Sequence, residues 1–180
     1  MMEDLLIWVD EQDQETGYGE KMLTHQKEQL HRAFSVFLYD PKEKKTLLHR
    51  RAFGKYHSGG LWTNACCSHP RKGESLQEAA VRRLKEELGV DISSGAGLSE
   101  LGSFQYYEKY TDCAEHEIDH VFLLLADMHK LTLQPDPEEI EDIRWVTFLE
   151  LNQWMSDHPE AFTAWFPKAL SMVCETLPAE

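Results

Sequence analysis

The sequence predicts an α/β (α+β) sandwich, a mixed β-sheet flanked by helices, and three observations carry that expectation. Segments with strand character and segments with helical periodicity interleave along the chain rather than separating into blocks. Residues 118–126 are strongly apolar, as expected of a central strand covered on both faces. Residues 76–88 are amphipathic with both ends marked: Ser75 and Glu78 make a Ser-x-x-Glu capping box, and Gly89 stands where a left-handed cap would close the last turn. The sequence has no internal repeat, low-complexity tract or linker, so its 180 residues are expected to form a single domain over residues 1–180.

In chain order, Leu5-Leu6-Ile7-Trp8-Val9 predicts a short strand, and a turn-rich loop follows over residues 10–19. Residues 21–29 carry His25, and His31 precedes a strand over residues 33–39. The spacing of His25 and His31 does not align them on one helical face, so a shared ligand must be reached through a loop or a helix end. Asp40-Pro41-Lys42-Glu43-Lys44 is a turn, with residues 46–50 as the returning strand of a hairpin. A loop over residues 51–61 leads to Thr63-Asn64-Ala65-Cys66-Cys67-Ser68-His69-Pro70 and the capped helix. A Gly/Ser-rich loop over residues 93–97, a tyrosine-rich strand over 104–109 and the apolar strand over 118–126 come next. Pro135-Asp136-Pro137 breaks the chain before a strand over residues 143–147. Thr147 and Glu150 then open a helix with a second capping box, and residues 162–176 are helical apart from their start at Trp165-Phe166-Pro167.

Charge and composition exclude several classes of function. With 32 acidic against 18 basic residues the net charge is -14, which argues against nucleic-acid binding through bulk electrostatics. No segment approaches the run of about 18 apolar residues that a membrane span needs. The acidic start Met1-Met2-Glu3-Asp4 lacks the character of a secretory signal. Cys66, Cys67, Cys113 and Cys174 make no disulfide framework and contain no CxxC pair, so a reducing cytoplasm is expected and a Cys-rich zinc site is not. Basic residues nevertheless cluster at Arg50, Arg51, Lys55, Arg71, Lys72, Arg82 and Arg83, which suggests a small anionic ligand.

Two stretches concentrate chemistry. At about 100° per residue, Leu76, Ala80, Leu84 and Leu88 form one helical stripe, with Glu87 inside it and Arg83 at its edge. A carboxylate on an inward face needs a partner: either Arg83 pairs with Glu87, or Glu87 faces a metal in a cleft. In Glu115-His116-Glu117, strand alternation puts both glutamates on one side, where either both face water or a cation lies between them.

The capped helix and its approach resemble the Nudix box, Gx5Ex7REUxEExGU with U apolar, at Ser68, Glu74, Arg82, Arg83, Leu84, Glu86, Glu87, Gly89 and Val90. Ser68 replaces the first glycine, and Arg83 replaces the glutamate of the Arg-Glu pair. The second change removes a metal-binding carboxylate and adds a phosphate partner, which favours binding a diphosphate over hydrolysing it. The chain further resembles the type I isopentenyl-diphosphate isomerases at Leu30-His31-Arg32-Ala33-Phe34-Ser35, Trp62-Thr63-Asn64-Ala65-Cys66-Cys67-Ser68-His69-Pro70, Glu115-His116-Glu117-Ile118-Asp119 and Trp165-Phe166.

That resemblance implies a Nudix-like sandwich and a cytoplasmic enzyme of isoprenoid biosynthesis that converts isopentenyl diphosphate to dimethylallyl diphosphate. It implies Cys67 and Glu117 as the acid/base groups, with Tyr106 hydrogen-bonded near the glutamate. It implies a metal, Mn2+, Zn2+ or Mg2+, on His25, His31, His69, Glu115 and Glu117, and a Mg2+ on Glu87 shared with the substrate diphosphate. Lys21, Arg51, Lys55 and Arg83 would neutralise the phosphate oxygens, and Trp165, with Trp62 beside it as a further candidate, would offer a π face to a carbocation. No flavin is implied, and the expected partner is a small-molecule diphosphate, with neither nucleic acid nor membrane. Taken singly, Cys67 and Cys66 read as small buried hydrophobes, each histidine as a surface or satisfied residue, and both tryptophans as core. His49, His57, His116, His120, His129 and His158 have no support from the resemblance. Competing readings are a Nudix hydrolase of a nucleoside diphosphate derivative and an inactive Nudix-like binding module. Arg83 speaks against the first, and a thiol amid the ligand set against the second.

Overall fold

The computed structural model describes residues 4–92 and 95–177; Met1, Met2 and Glu3 of the acidic start, and Ser93 and Ser94 of the predicted Gly/Ser-rich loop, lie outside the described residues. The chain runs β1 (Leu5–Val9), β2 (Glu15–Glu20), α1 (Lys21–Gln26), β3 (His31–Asp40), β4 (Lys45–Arg51), β5 (Trp62–Thr63), β6 (Cys66–Ser68), α2 (Leu76–Leu88), β7 (Leu98–Lys109), β8 (Ala114–Leu125), β9 (Ile140–Thr147), α3 (Phe148–Asp157) and α4 (Phe166–Thr176), with a 3-10 turn at Pro159–Ala161. Among the described residues, no helix is long and apolar enough to cross a membrane.

The strands form one mixed sheet. β8 lies parallel to β3 from His31↔Glu117 to Tyr39↔Leu125, so it takes one whole edge of β3. The other edge is shared in succession by β1 at His31, β6 at Phe34, Ser35 and Val36, and β4 at Tyr39 and Asp40. β4 then leaves β3 to pair with β9 and β5, and β6 fills the edge it vacates.

Alternation along β3 divides the core. Phe34, Val36 and Leu38 pack with Ala80, Leu84 and Leu88 of α2 on one face. Phe37 and Tyr39 pack with Leu151 of α3 and Phe166, Leu170 and Val173 of α4 on the other. β8 follows suit, sending Phe122 and Leu124 to the first cluster and Val121 and Leu123 to the second, which is why its sequence is apolar in both registers. Each such side chain withdrawn from water contributes about 1.5–3 kcal/mol.

Both predicted capping boxes form, with Ser75 and Thr147 accepting from the backbone of Glu78 and Glu150 while those glutamates return to the cap backbone. Gly89 closes α2 at φ 70°, and a Cβ there would stand 2.9 Å from Cβ of Gln134, so both conformation and space exclude a side chain. β2, expected as loop, is a strand because Trp8 of β1 lies flat across it: a Cβ on Gly19 would come within 2.2 Å of the indole. β7, β8 and β9 extend beyond the predicted strands because the ladders β7·β8 and β4·β9 continue through polar residues.

Candidate active site and metal centre

Register gathers the chemistry on one face of the sheet. Cys67 of β6 stands opposite Ser35 on one edge of β3, Glu117 of β8 stands opposite His31 on the other, and Tyr106 of β7 stands opposite Glu117. Residues two apart in a strand share a face, so Cys67 and His69, and Glu115, Glu117 and Asp119, line one pocket. Lys21 of α1, Arg51 of β4, Lys55 beyond it, Arg83 and Glu87 of α2, and Trp165 at the start of α4 complete its walls. Cys66 points to the opposite face and is core, as its isolated reading had it.

Three imidazole Nε2 atoms converge on Oε1 of Glu117, at 2.8 Å from His69, 3.2 Å from His31 and 3.9 Å from His25. Nδ1 of His25 and of His31 each lie 2.7 Å from a backbone carbonyl, of Lys21 and Gln29. Carbonyls only accept, so these nitrogens carry protons and the rings turn their Nε2 atoms inward. Burial, then the neighbouring His31, lowers the His25 imidazole to about 4, and burial holds His69 well below its ordinary value. Of the neighbouring Glu115 and Glu117, Glu117 takes the charge: burial would raise its carboxyl, but contacts with His31 and His69 outweigh burial and hold it well below the carboxylate range. An imidazole nitrogen this close to a carboxylate oxygen shares either a proton or a cation with it. The ligand atoms of His25, His31, His69 and Glu117 lie within 4.8 Å of one another, so the group could hold a divalent metal.

The remaining expected ligand, Glu115, is buried but turned elsewhere. Its Oε1 lies 3.0 Å from Nε2 of His57, and its Oε2 accepts from the Tyr110 hydroxyl at 3.2 Å. Burial, then the charge of Glu117, raises its carboxyl. Both glutamates therefore face inward, and the alternative that both face water is wrong.

Tyr106 donates its hydroxyl to Oε2 of Glu117 at 2.6 Å, leaving Oε1 to the histidines. Burial raises the Tyr106 phenol well above its ordinary value, so it remains a donor. Cys67 keeps part of its surface open to the pocket, yet the surrounding protein desolvates the sulfur enough to push its thiol up to about 12. Its Sγ lies 3.4 Å from Oδ1 of Asn64, an amide whose nitrogen is committed to the carbonyls of Val36 and Cys66.

On another wall, Arg83 pairs with the buried Glu87 and reaches Glu139 at 3.3 Å, while Lys55 meets Glu139 at 2.5 Å. The two accounts of Glu87 thus merge, since it pairs with Arg83 and also lines the cleft. Among the described residues, Nε of Arg51 and Nε of Arg83 are buried without a partner, two donors that an anion would satisfy. Burial, then the charge of Lys55, lowers the Lys21 ammonium. Trp165 lies under Arg51, with the guanidinium 5.4 Å from its ring, and 6.2 Å from the Tyr106 ring. Trp62 instead packs on Trp154 at 5.2 Å in the core and is absent from the pocket.

Among the lining residues to which sequence reasoning gave no site role are His57, Tyr56, Glu139 and Asp119. Asp119 continues the two-residue period of Glu115 and Glu117 and was legible by that rule. Ser35 donates to its Oδ2 at 2.8 Å, and burial, then the charge of Glu117, raises its carboxyl well above the usual range. The others sit outside periodic segments, where no local signal marks them.

Residues 29–166 match the family described as NUDIX domain. The chain is 44% identical over 184 residues to a Photobacterium profundum protein named Isopentenyl-diphosphate Delta-isomerase, covering 100% of this chain and 99% of that one. It is 44% identical over 179 residues to an Aromatoleum aromaticum protein named Isopentenyl-diphosphate Delta-isomerase 2, covering 98% and 90%. The crystal structure of DR0079 from Deinococcus radiodurans is similar with a TM-score of 0.74 at 22% identity, covering 94% and 98%, a likeness of fold.

Proposed function

The chain belongs to the Nudix family and, within it, to the isopentenyl-diphosphate Delta-isomerases, and on that premise we propose that Cys67 and Glu117 carry the proton transfers that turn isopentenyl diphosphate into dimethylallyl diphosphate. An unactivated alkene is a weak base, so moving its double bond needs an acid, a base and shelter for a tertiary carbocation. The observation that carries the assignment is the division of Glu117: one oxygen faces three imidazoles while the other accepts from Tyr106, and Glu117 and Cys67 line the same pocket. A carboxylate so divided can belong to a metal centre and still exchange a proton with substrate.

Lys21, Arg51, Lys55 and Arg83 grip the diphosphate, with the unpartnered Nε donors of Arg51 and Arg83 as its first contacts. The desolvated Cys67 holds its proton until the alkene is in place. One group adds a proton to the alkene while the other removes one from the carbon two positions away, and the ring of Trp165 faces the cation between those steps and excludes water. A divalent ion on His25, His31, His69 and Glu117 with Glu115 nearby, Mn2+, Zn2+ or Mg2+, and a Mg2+ on Glu87 with the diphosphate, would supply charge neutralisation at the two ends of the site. We take residues 1–180 as one domain, with a small-molecule diphosphate as its partner. The four free cysteines suit work in a reducing cytoplasm.

Incubation with isopentenyl diphosphate and Mg2+ in deuterated water tests the reading, with dimethylallyl diphosphate carrying deuterium as the expected product. Cys67→Ala and Glu117→Gln should each abolish turnover in folded protein. Near-normal turnover in either variant removes that residue from its role, and release of a nucleoside monophosphate from nucleoside diphosphate derivatives, without isomer, would make the chain a hydrolase.

A further inference from the structure

We infer that His57, with Glu115 and His25, forms a second, outer cation position, through which a divalent ion passes between solvent and the inner group of His25, His31, His69 and Glu117. The inference rests on the inner group being a metal centre. His25, His57 and Glu115 are all buried, and their ligand atoms lie within 4.8 Å of one another. Two imidazoles and a carboxylate are a donor set that first-row divalent ions accept.

Hydrogen bonds fix the orientation of the His57 ring. The Tyr110 hydroxyl donates to Oε2 of Glu115 at 3.2 Å. The Tyr110 oxygen then accepts from Ser58 at 3.1 Å, and Ser58 Oγ in turn accepts from Nδ1 of His57 at 3.2 Å. His57 is thereby held at Nδ1 by Ser58, and its Nε2 faces Glu115 Oε1, 3.0 Å away. An imidazole Nε2 set against a glutamate oxygen is also the arrangement of the inner group.

The two positions are alternatives rather than a binuclear centre. Nδ1 of His25 is held by the Lys21 carbonyl, so only its Nε2 can coordinate, and it can serve one ion at a time. Position gives the direction of travel. Tyr56 and His57 line both the active-site pocket and a separate surface depression bounded by Tyr110, Asp112, Cys113 and Lys109, the last paired with Glu28. An ion coming from that depression meets His57 first, whereas the other approach passes Lys21, Arg51, Lys55 and Arg83, whose charges repel a dication.

Chelator-treated protein loaded with Mn2+, followed by loss of the free-ion electron paramagnetic resonance signal, and release of bound Zn2+ to a chromophoric chelator measure passage in both directions. His57→Ala should slow loading and release alike, by about tenfold, and leave the equilibrium affinity unchanged, because a station on the path alters the barrier and not its ends. His57→Gln, which can still donate to Glu115 but has no imidazole, should be equally slow and carries the test if the alanine variant fails to fold. His129→Ala, an exposed control, should match the parent. Unchanged rates in His57→Ala, rates restored in His57→Gln, or a loss of affinity matching the loss of rate would each overturn the inference. Failure of the parent protein to bind any divalent ion would instead refute the metal centre itself, and the outer position with it.

Discussion

Tyr106→Phe removes one oxygen from the site and leaves its ring in place. The lost hydroxyl is the donor to Oε2 of Glu117 at 2.6 Å, while Oε1 keeps its contacts with His31 and His69 at 3.2 and 2.8 Å. A hydrogen bond to a charged group is worth about 1.5–3 kcal/mol, and leaving a buried carboxylate oxygen without its partner forfeits all of it. If that bond holds Glu117 in its reactive orientation, the loss appears in the barrier and kcat falls by about ten- to a hundredfold. The diphosphate grip is untouched, so KM should stay near the parent value, and the oxygen facing the histidines is untouched, so metal affinity should stay there too. Steady-state deuterium incorporation gives kcat and KM, and calorimetric titration of chelator-treated protein with Mn2+ gives the affinity. An unchanged kcat, or a fall in metal affinity as large as the fall in kcat, would refute the division of Glu117 between its two oxygens.

Two further outcomes concern stability. Burial, then the charge of Arg51, displaces the fully enclosed His49 imidazole from 6.5 to about 4, so between those values the unfolded chain binds more protons than the folded one and stability falls as pH falls. The loss reaches roughly 3 kcal/mol near the lower limit; urea unfolding from neutral pH downward should show it, His49→Gln should have a shallower slope, and an identical slope contradicts the assignment. Arg83→Met leaves Glu87, 3% exposed, as an unpaired buried carboxylate and should cost about 3 kcal/mol in urea unfolding. Arg83→Met with Glu87→Met should recover most of it, and simple additivity of the two single variants would show that the pair is not coupled.

Much of the site was legible because its signals are local. The α2 capping box, the left-handed Gly89 and the placement of Glu87 on the inward stripe all follow from residues within a few positions of one another. Alternation likewise put Glu115 and Glu117 on one side, and carried further it reaches Asp119. Local signals could not separate Trp62 from Trp165, since both are tryptophans in short irregular stretches. Contact with Trp154 makes the first a core residue, and contact with Tyr106 and Arg51 brings the second to the pocket. Gly17 and Gly19 looked like loop punctuation because the residue they accommodate, Trp8, lies across a strand pairing and not beside them in sequence.

By itself the sequence determined which chemistry the chain carries: a thiol, imidazoles and carboxylates on strand and helix faces, and an arginine in place of a box glutamate. Those choices depend on residue type and on periods of two and 3.6, which are written locally. Only the tertiary structure decided which oxygen of Glu117 meets which neighbour, that Glu115 turns to His57, and that Glu139 joins Lys55 to Arg83. These are contacts between elements far apart in the chain, and they are set by sheet register and loop path, which no short stretch of residues encodes.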